Sequence, residues 1–126
     1  MSARLLLDTH VLLWALSSPA RLSTTIRREI ERSEVFVSAA SIWEIAIKQS
    51  LKKLKIGPAK VLEALPVAGF DLLPIDGAHA ARTADLNEVH KDPFDRMLIA
   101  QAICESMTLV TNDEALTVYG RVVRLI

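Results

Sequence analysis

One cysteine, Cys104, is the whole thiol content of the 126 residues. That excludes an internal disulfide and any cysteine-based zinc cluster. It sits in an apolar helical stretch, where a small core side chain is expected. Net charge is absent too, because 15 Lys and Arg balance 15 Asp and Glu. Domains that hold nucleic acid by bulk positive charge are strongly basic, so that mode is disfavoured. An acidic pocket offset by basic residues around it is compatible with the same balance. The one local basic cluster, "QSLKKLK" (49–55), reads as a solvated helix end. No apolar run approaches the ~18 residues that a transmembrane helix needs. The start, "MSAR", lacks a signal-peptide layout and is soon interrupted by Asp8. A cytoplasmic chain without membrane contact is therefore expected. Only 4 glycines are present, none in a phosphate-cradling loop or a Gly-x-Ser-x-Gly elbow. That argues against a P-loop enzyme and against a serine hydrolase of the elbow type.

What the chain does have is aliphatic bulk in short, spaced runs. Its length suits one domain over 1–126, burying roughly two-thirds of the surface of the unfolded chain. Hydrophobic residues make up 51% of the sequence, rich enough that a partner chain is expected to cover some apolar surface. Runs at 4–8, 34–38, 70–75, 107–111 and 122–126 predict five strands, the first a continuous apolar run as expected of a strand buried on both faces. Between them, helices are predicted over 9–16, 22–33, 39–54, 59–69 with a break at Pro66, 76–90, 93–105 and 112–120. Strands alternating with helices imply parallel pairing and helices on both sides, a three-layer α/β/α sandwich around a central parallel sheet. No linker, repeat or low-complexity segment interrupts the pattern.

Ligands of such sheets bind outside the carboxyl ends of the strands. Asp8 ends the first strand, directly after Leu5, Leu6 and Leu7. Asp113 follows the fourth, and Thr111 and Glu114 flank it in capping-box spacing. Ser41-x-x-Glu44 has the same spacing, with Lys48 placed to pair with Glu44 one turn on. Asp92-Pro93 is a good helix N-cap followed by a good first helical residue, and Asp95 lies in the favourable first turn. Each acid alone is explained by capping. Asp95 fits that explanation least. Its i+3, i+4 and i+7 neighbours are Leu98, Ile99 and Ala102, so its side chain lies above an apolar line.

Gathered carboxylates repel one another unless a cation neutralises them. Oxygen ligands without a His or Cys cluster point to Mg²⁺ or Mn²⁺ rather than zinc. Such an ion suits phosphoryl chemistry. His10, His79 and His90 have no metal-ligand spacing and are expected to be structural or on the surface.

"LLLDTHVLLWAL", "SAASIWEIAIK", "HKDPFDRMLIAQA" and "LVTND" span most of the chain. In this order and spacing they resemble the PIN-domain ribonucleases, and more closely the VapC-type toxins of toxin–antitoxin pairs. The resemblance implies that Asp8, Glu44, Asp95 and Asp113 form an acidic quartet. Asp8 and Asp95 would bind a Mg²⁺ or Mn²⁺ ion directly, and Asp113 directly or through water. Glu44 would orient water or a second ion, while Thr9 and Thr111 support the site by hydrogen bonding. Asp92 would only cap. The implied reaction is endonucleolytic RNA cleavage by a metal-activated water. Phosphate contacts would come from Lys48, Lys52, Lys91 and Arg96, with Arg96 alternatively pairing with Asp92. A homodimer and a cognate antitoxin are implied as well. The antitoxin's arm would cover an apolar groove, with Trp14 and Trp43 as candidates, and DNA would be contacted only through it.

Two other acidic α/β classes fit less well. A phosphoacceptor receiver domain needs paired acids after the first strand and an acceptor aspartate after the middle one. Here only Asp8 and Pro74-Ile75 stand there. A haloacid-dehalogenase-type phosphatase needs a second aspartate where His10 stands. A catalytically inactive module of the same fold, acting only as a binding partner, is the remaining alternative.

Overall fold

Five strands form where the apolar runs place them, and every pairing is parallel. The computed structural model describes residues 3–88 and 90–126. The strands are β1 (Arg4–Leu7), β2 (Glu34–Ser38), β3 (Phe70–Leu73), β4 (Thr108–Thr111) and β5 (Val123–Leu125), in spatial order β3-β2-β1-β4-β5. The helices are α1 (Thr9–Ser17), α2 (Thr24–Arg32), α3 (Ala39–Ser50), α4 (Pro58–Ala68), α5 (Gly77–Arg82) and α6 (Pro93–Glu105). Shorter 3₁₀ segments cover Pro19–Arg21, Thr83–Asp85 and Glu114–Val122.

Side chains alternate across a strand, and here that alternation sets the layers. Leu5, Leu7, Val35 and Val37 pack against Val11, Leu12, Ile26, Ile30, Ile45, Val61 and Leu65 of α1 to α4. Leu6 and Leu109 point the other way, onto Leu98, Ile99 and Ala102 of α6 and onto Leu116. The three-layer sandwich follows. The chain steps outward from β1 to β2 and β3, then returns past β1 to β4 and β5. This puts a topological switch point between β1 and β4, where such sheets open a crevice at their carboxyl edge.

Several element ends differ from expectation for local reasons. α3 stops at Ser50 rather than 54. Lys52 adopts a left-handed φ of 59°, and the N–H groups of Lys52 and Lys53 donate to the carbonyls of Gln49 and Lys48. α4 runs through Pro66 to Ala68. Proline removes one N–H there, but so near the end that the helix simply closes at Gly69, φ 78°, which donates to Leu65 and Pro66. The predicted helix 76–90 is real only as α5 and the following 3₁₀ turn, with position 89 outside the described residues. Arg96 competes for its backbone, donating to the carbonyls of Thr83, Leu86, Asn87 and His90. The last predicted helix is a 3₁₀ segment kinked at Gly120, φ 77°.

Cys104 is exposed, against expectation. α6 turns Leu98, Ile99 and Ala102 to the sheet, and the short α5, whose Ala78 carbonyl lies 4.0 Å from the sulfur, does not cover the thiol. Among the described residues no helix is long and apolar enough to cross a membrane.

Ile99 is fully buried at the centre of α6. Ile99→Ala should cost about 2–5 kcal/mol in urea unfolding. Cys104→Ala should stay within about 0.5 kcal/mol of the parent.

Candidate functional site

Asp8 is the residue at which β1 becomes α1. Its Oδ1 accepts the Val11 N–H at 2.9 Å, the N-cap that the sequence suggested. Its Oδ2 accepts the hydroxyl hydrogen of Thr111, the last residue of β4, in a short hydrogen bond. Both groups are buried. Thr111 Oγ1 also accepts the Asp113 N–H at 3.0 Å. One hydroxyl thereby fastens the two aspartates that flank the switch point. Asp113 itself caps the 3₁₀ segment through Ala115 N–H, 3.0 Å. Thr111 is thus no member of a capping box with Glu114, since the cap lies two residues beyond it.

Glu44 enters from α3. The N-cap of that helix is Ser38, which accepts the Ala40 N–H. The Ser41–Glu44 capping box is therefore absent, and both residues lie inside the helix. Glu44 Oε1 accepts from the buried Thr9 hydroxyl at 2.6 Å, with Ser41 Oγ 3.1 Å from the same oxygen of Thr9. Lys48 Nζ lies 3.0 Å from Glu44 Oε2, the predicted pair.

Asp95 stands in the first turn of α6, half-buried above Leu98, Ile99 and Ala102. Asp92 caps that helix, accepting the N–H groups of Phe94 and Asp95 at 2.9 and 3.1 Å. Asp95 Oδ2 lies 2.8 Å from His90 Nε2. His90, Asp95 and Asp113 each offer a ligand atom within 4.8 Å of the others.

Three of the four acids, Asp8, Glu44 and Asp95, are coupled through their charges. Burial pushes the Asp8 carboxyl above the usual aspartate range, against the lowering by Thr111, Val11 and His10, and the charge of Glu44 raises it further. Burial likewise raises Asp95, opposed by the His90 hydrogen bond and reinforced by Asp92 and Glu44. Glu44 therefore acts on acids from two other elements. A cation would relieve all of this, and the oxygen-rich donor set fits a hard divalent ion.

The remaining candidates are more dispersed. Arg96 pairs with backbone carbonyls of the 83–90 loop rather than with Asp92. Lys91 is exposed beside a cavity of about 400 Å³ that Trp43, Phe94 and Met97 also line. Lys52 is exposed on the turn after α3. Trp43 is 62% exposed and meets Phe94 edge-on at 5.1 Å, whereas Trp14 packs against the core and under Arg21. His79 is structural, held between Asp76 and Glu105. His90 is the side chain whose place beside Asp95 the sequence did not reveal. It lies in an irregular loop with no periodicity to mark it, and closeness to Asp95 in the chain was its only signal.

The raised carboxyls set a pH dependence. A folded-state value above the unfolded one means that the native protein binds more protons across the interval between them. Stability therefore falls as pH rises through that interval. Asn keeps the Asp8 cap. In chelator, Asp8→Asn and Asp95→Asn should each raise the thermal midpoint at pH 7 and lessen its fall as pH rises above the ordinary aspartate range. Lower midpoints at pH 7 would show that the two charges stabilise the metal-free fold.

The PIN domain family profile matches residues 5–122. Ribonuclease VapC22 of Mycobacterium tuberculosis is 34% identical over 116 residues, 88% of each chain. The structure of VapBC2 from Rickettsia felis, bound to a DNA fragment from its promoter, superposes with a TM-score of 0.72. It does so at 14% identity, over 97% of this chain and 98% of that one. DNA-bound VapBC from Salmonella typhimurium gives 0.70 at 17% identity, over 98% and 97%. With the acids that follow β1 and β4 and those of α3 and α6 brought to the carboxyl edge of the sheet, the chain belongs to the PIN domain family, of the VapC type.

Proposed function

We propose that this chain is a metal-dependent endoribonuclease acting in the cytoplasm as the toxin of a toxin–antitoxin pair. The observation that carries the proposal is the chain of links among four acids: Thr111 joins Asp8 to the Asp113 backbone, Asp95 and Asp113 offer ligand atoms within 4.8 Å, and the charge of Glu44 acts on both Asp8 and Asp95. Asp8, Asp95 and Asp113 would hold Mg²⁺ or Mn²⁺. When bound, the ion polarises a phosphate oxygen, lowers the pKa of a water and offsets transition-state charge. The chain's own groups do the positioning. Thr111 fixes Asp8 and the Asp113 backbone. Thr9 and Lys48 hold the two oxygens of Glu44, leaving it fixed to orient a water or a second ion. Lys48 and Lys91 are the cations at hand for the RNA backbone. Arg96 acts through the loop it braces.

The relatives that were solved as toxin–antitoxin complexes support the partner assignment. Trp43, Ile47 and Leu51, four residues apart on or just beyond α3, are exposed together. Such a face marks a protein contact, and we assign it to a second copy or to the antitoxin. DNA is then reached only through the antitoxin.

Purified chain should cleave RNA in Mg²⁺ or Mn²⁺ and stop in chelator. Asp8→Asn and Asp95→Asn should each lower the rate at least about 100-fold, the scale of losing one preorganised electrostatic group. Equal cleavage by parent and variants, indifferent to chelator, would leave the inactive binding module as the better description. In cells, expression of the chain alone should arrest growth, and the adjacent open reading frame should relieve it.

A further inference from the structure

The geometry points to a nitrogen in the metal centre. We infer that His90 Nε2 is itself a ligand of the divalent ion, making a mixed nitrogen–oxygen site that favours Mn²⁺ over Mg²⁺. This rests on the metal-site proposal above and adds a ligand that the acidic quartet does not contain.

Three observations carry it. Nε2 lies 2.8 Å from Asp95 Oδ2. Two neighbouring ligands of an octahedron with bonds of ~2.1 Å are about 3.0 Å apart, and two opposite ones about 4.2 Å. The His90–Asp95 pair already spans the shorter separation. A carboxylate oxygen of Asp113 completes a triangle whose sides are all within 4.8 Å, in reach of either arrangement after small adjustment. The ring is also mostly shielded, its side chain 17% exposed, so it does not sweep freely through solvent.

The third observation concerns what holds the ring there. Arg96 Nη1 donates to the His90 carbonyl at 3.0 Å and to the Asn87 carbonyl at 2.7 Å, while Nη2 donates to Thr83 at 2.7 Å. Arg96 directly follows Asp95 on α6. One helix turn therefore supplies an acid and a brace for the backbone of the loop that carries the neighbouring imidazole.

The consequence for metal choice is chemical. Magnesium takes oxygen ligands and keeps its waters, whereas imidazole suits the transition ions. With His90 ligating through Nε2, the ring proton resides on Nδ1. The rival role for the ring keeps the proton on Nε2 and donates it to Asp95, so that His90 only positions the acid.

The test uses the full chain loaded with Mn²⁺ alone. Pulsed electron paramagnetic resonance should show the ¹⁴N coupling of a directly bound imidazole, and His90→Asn should abolish it. Calorimetry should show Mn²⁺ affinity falling about 10-fold or more in that variant, on the scale of losing a group that supports a metal site. Mg²⁺ affinity should change far less. Asp95→Asn separates the two proposals. If it removes Mn²⁺ binding while the parent shows no ¹⁴N coupling, His90 is not a ligand and the acidic site stands. Coupling that survives His90→Asn belongs to another ring, such as His10 beside Asp8, and overturns the assignment. If the parent binds no Mn²⁺, or Asp95→Asn leaves binding intact, the acidic site itself fails and the ligand assignment with it.

Discussion

Like charges held close together are the constraint around which this molecule is organised. Asp8, Glu44 and Asp95 at the rim are each steadied by a partner outside their own element. Asp8, at the end of β1, takes its hydrogen bond from Thr111 of β4. Glu44 of α3 takes one from Thr9 of α1. Asp95 of α6 meets His90 of the preceding loop. The bonds that tolerate the charge are therefore also tertiary cross-links. The β1–β4 seam, where the topology opens a crevice, is closed at its rim by the Thr111 hydroxyl and by the Asp8 N–H, which donates to the Val110 carbonyl at 3.0 Å. Loss of that hydroxyl would leave a buried carboxylate with one hydrogen bond fewer, a costly position in a low-dielectric interior.

The parts of this arrangement that were legible in the sequence are those set by periodicity. Strands buried on both faces read as plain apolar runs, so the acids that end β1 and follow β4 could be placed at the carboxyl edge from the sequence alone. Asp95 was legible because a helix repeats every 3.6 residues, and Leu98, Ile99 and Ala102 mark which way it faces. Contacts between distant segments left no such mark. Ser38 and Ser41 are both plausible caps for α3, and the choice between them depends on where β2 ends in its register with β1. The loop before α6 is shaped by a guanidinium that follows it in the chain, which hid the position of His90. Cys104 was misjudged because helical context says a residue is helical without saying which neighbours are long enough to cover it.

The site also adjoins the most apolar part of the surface. Trp43 immediately precedes Glu44, Phe94 immediately precedes Asp95, and the two rings touch edge-on. Anything that packs on the exposed indole sits one residue from two of the four acids. A partner seated on these rings would lie on the two helices, α3 and α6, that carry Glu44 and Asp95. The cavity that these rings share with Lys91 and Met97 lies along the same approach.

The spatial order of the strands has a last effect, on how copies of this protein behave when crowded. β3 and β5 lie at the two margins of the sheet, and they are only four and three residues long. Each margin offers a stray chain a ladder of very few bonds, even though β3 leaves Leu72 uncovered. Brevity at the borders protects against strand-on-strand polymerisation. It lets a sequence this rich in aliphatic side chains keep its stickiness for faces built from helices.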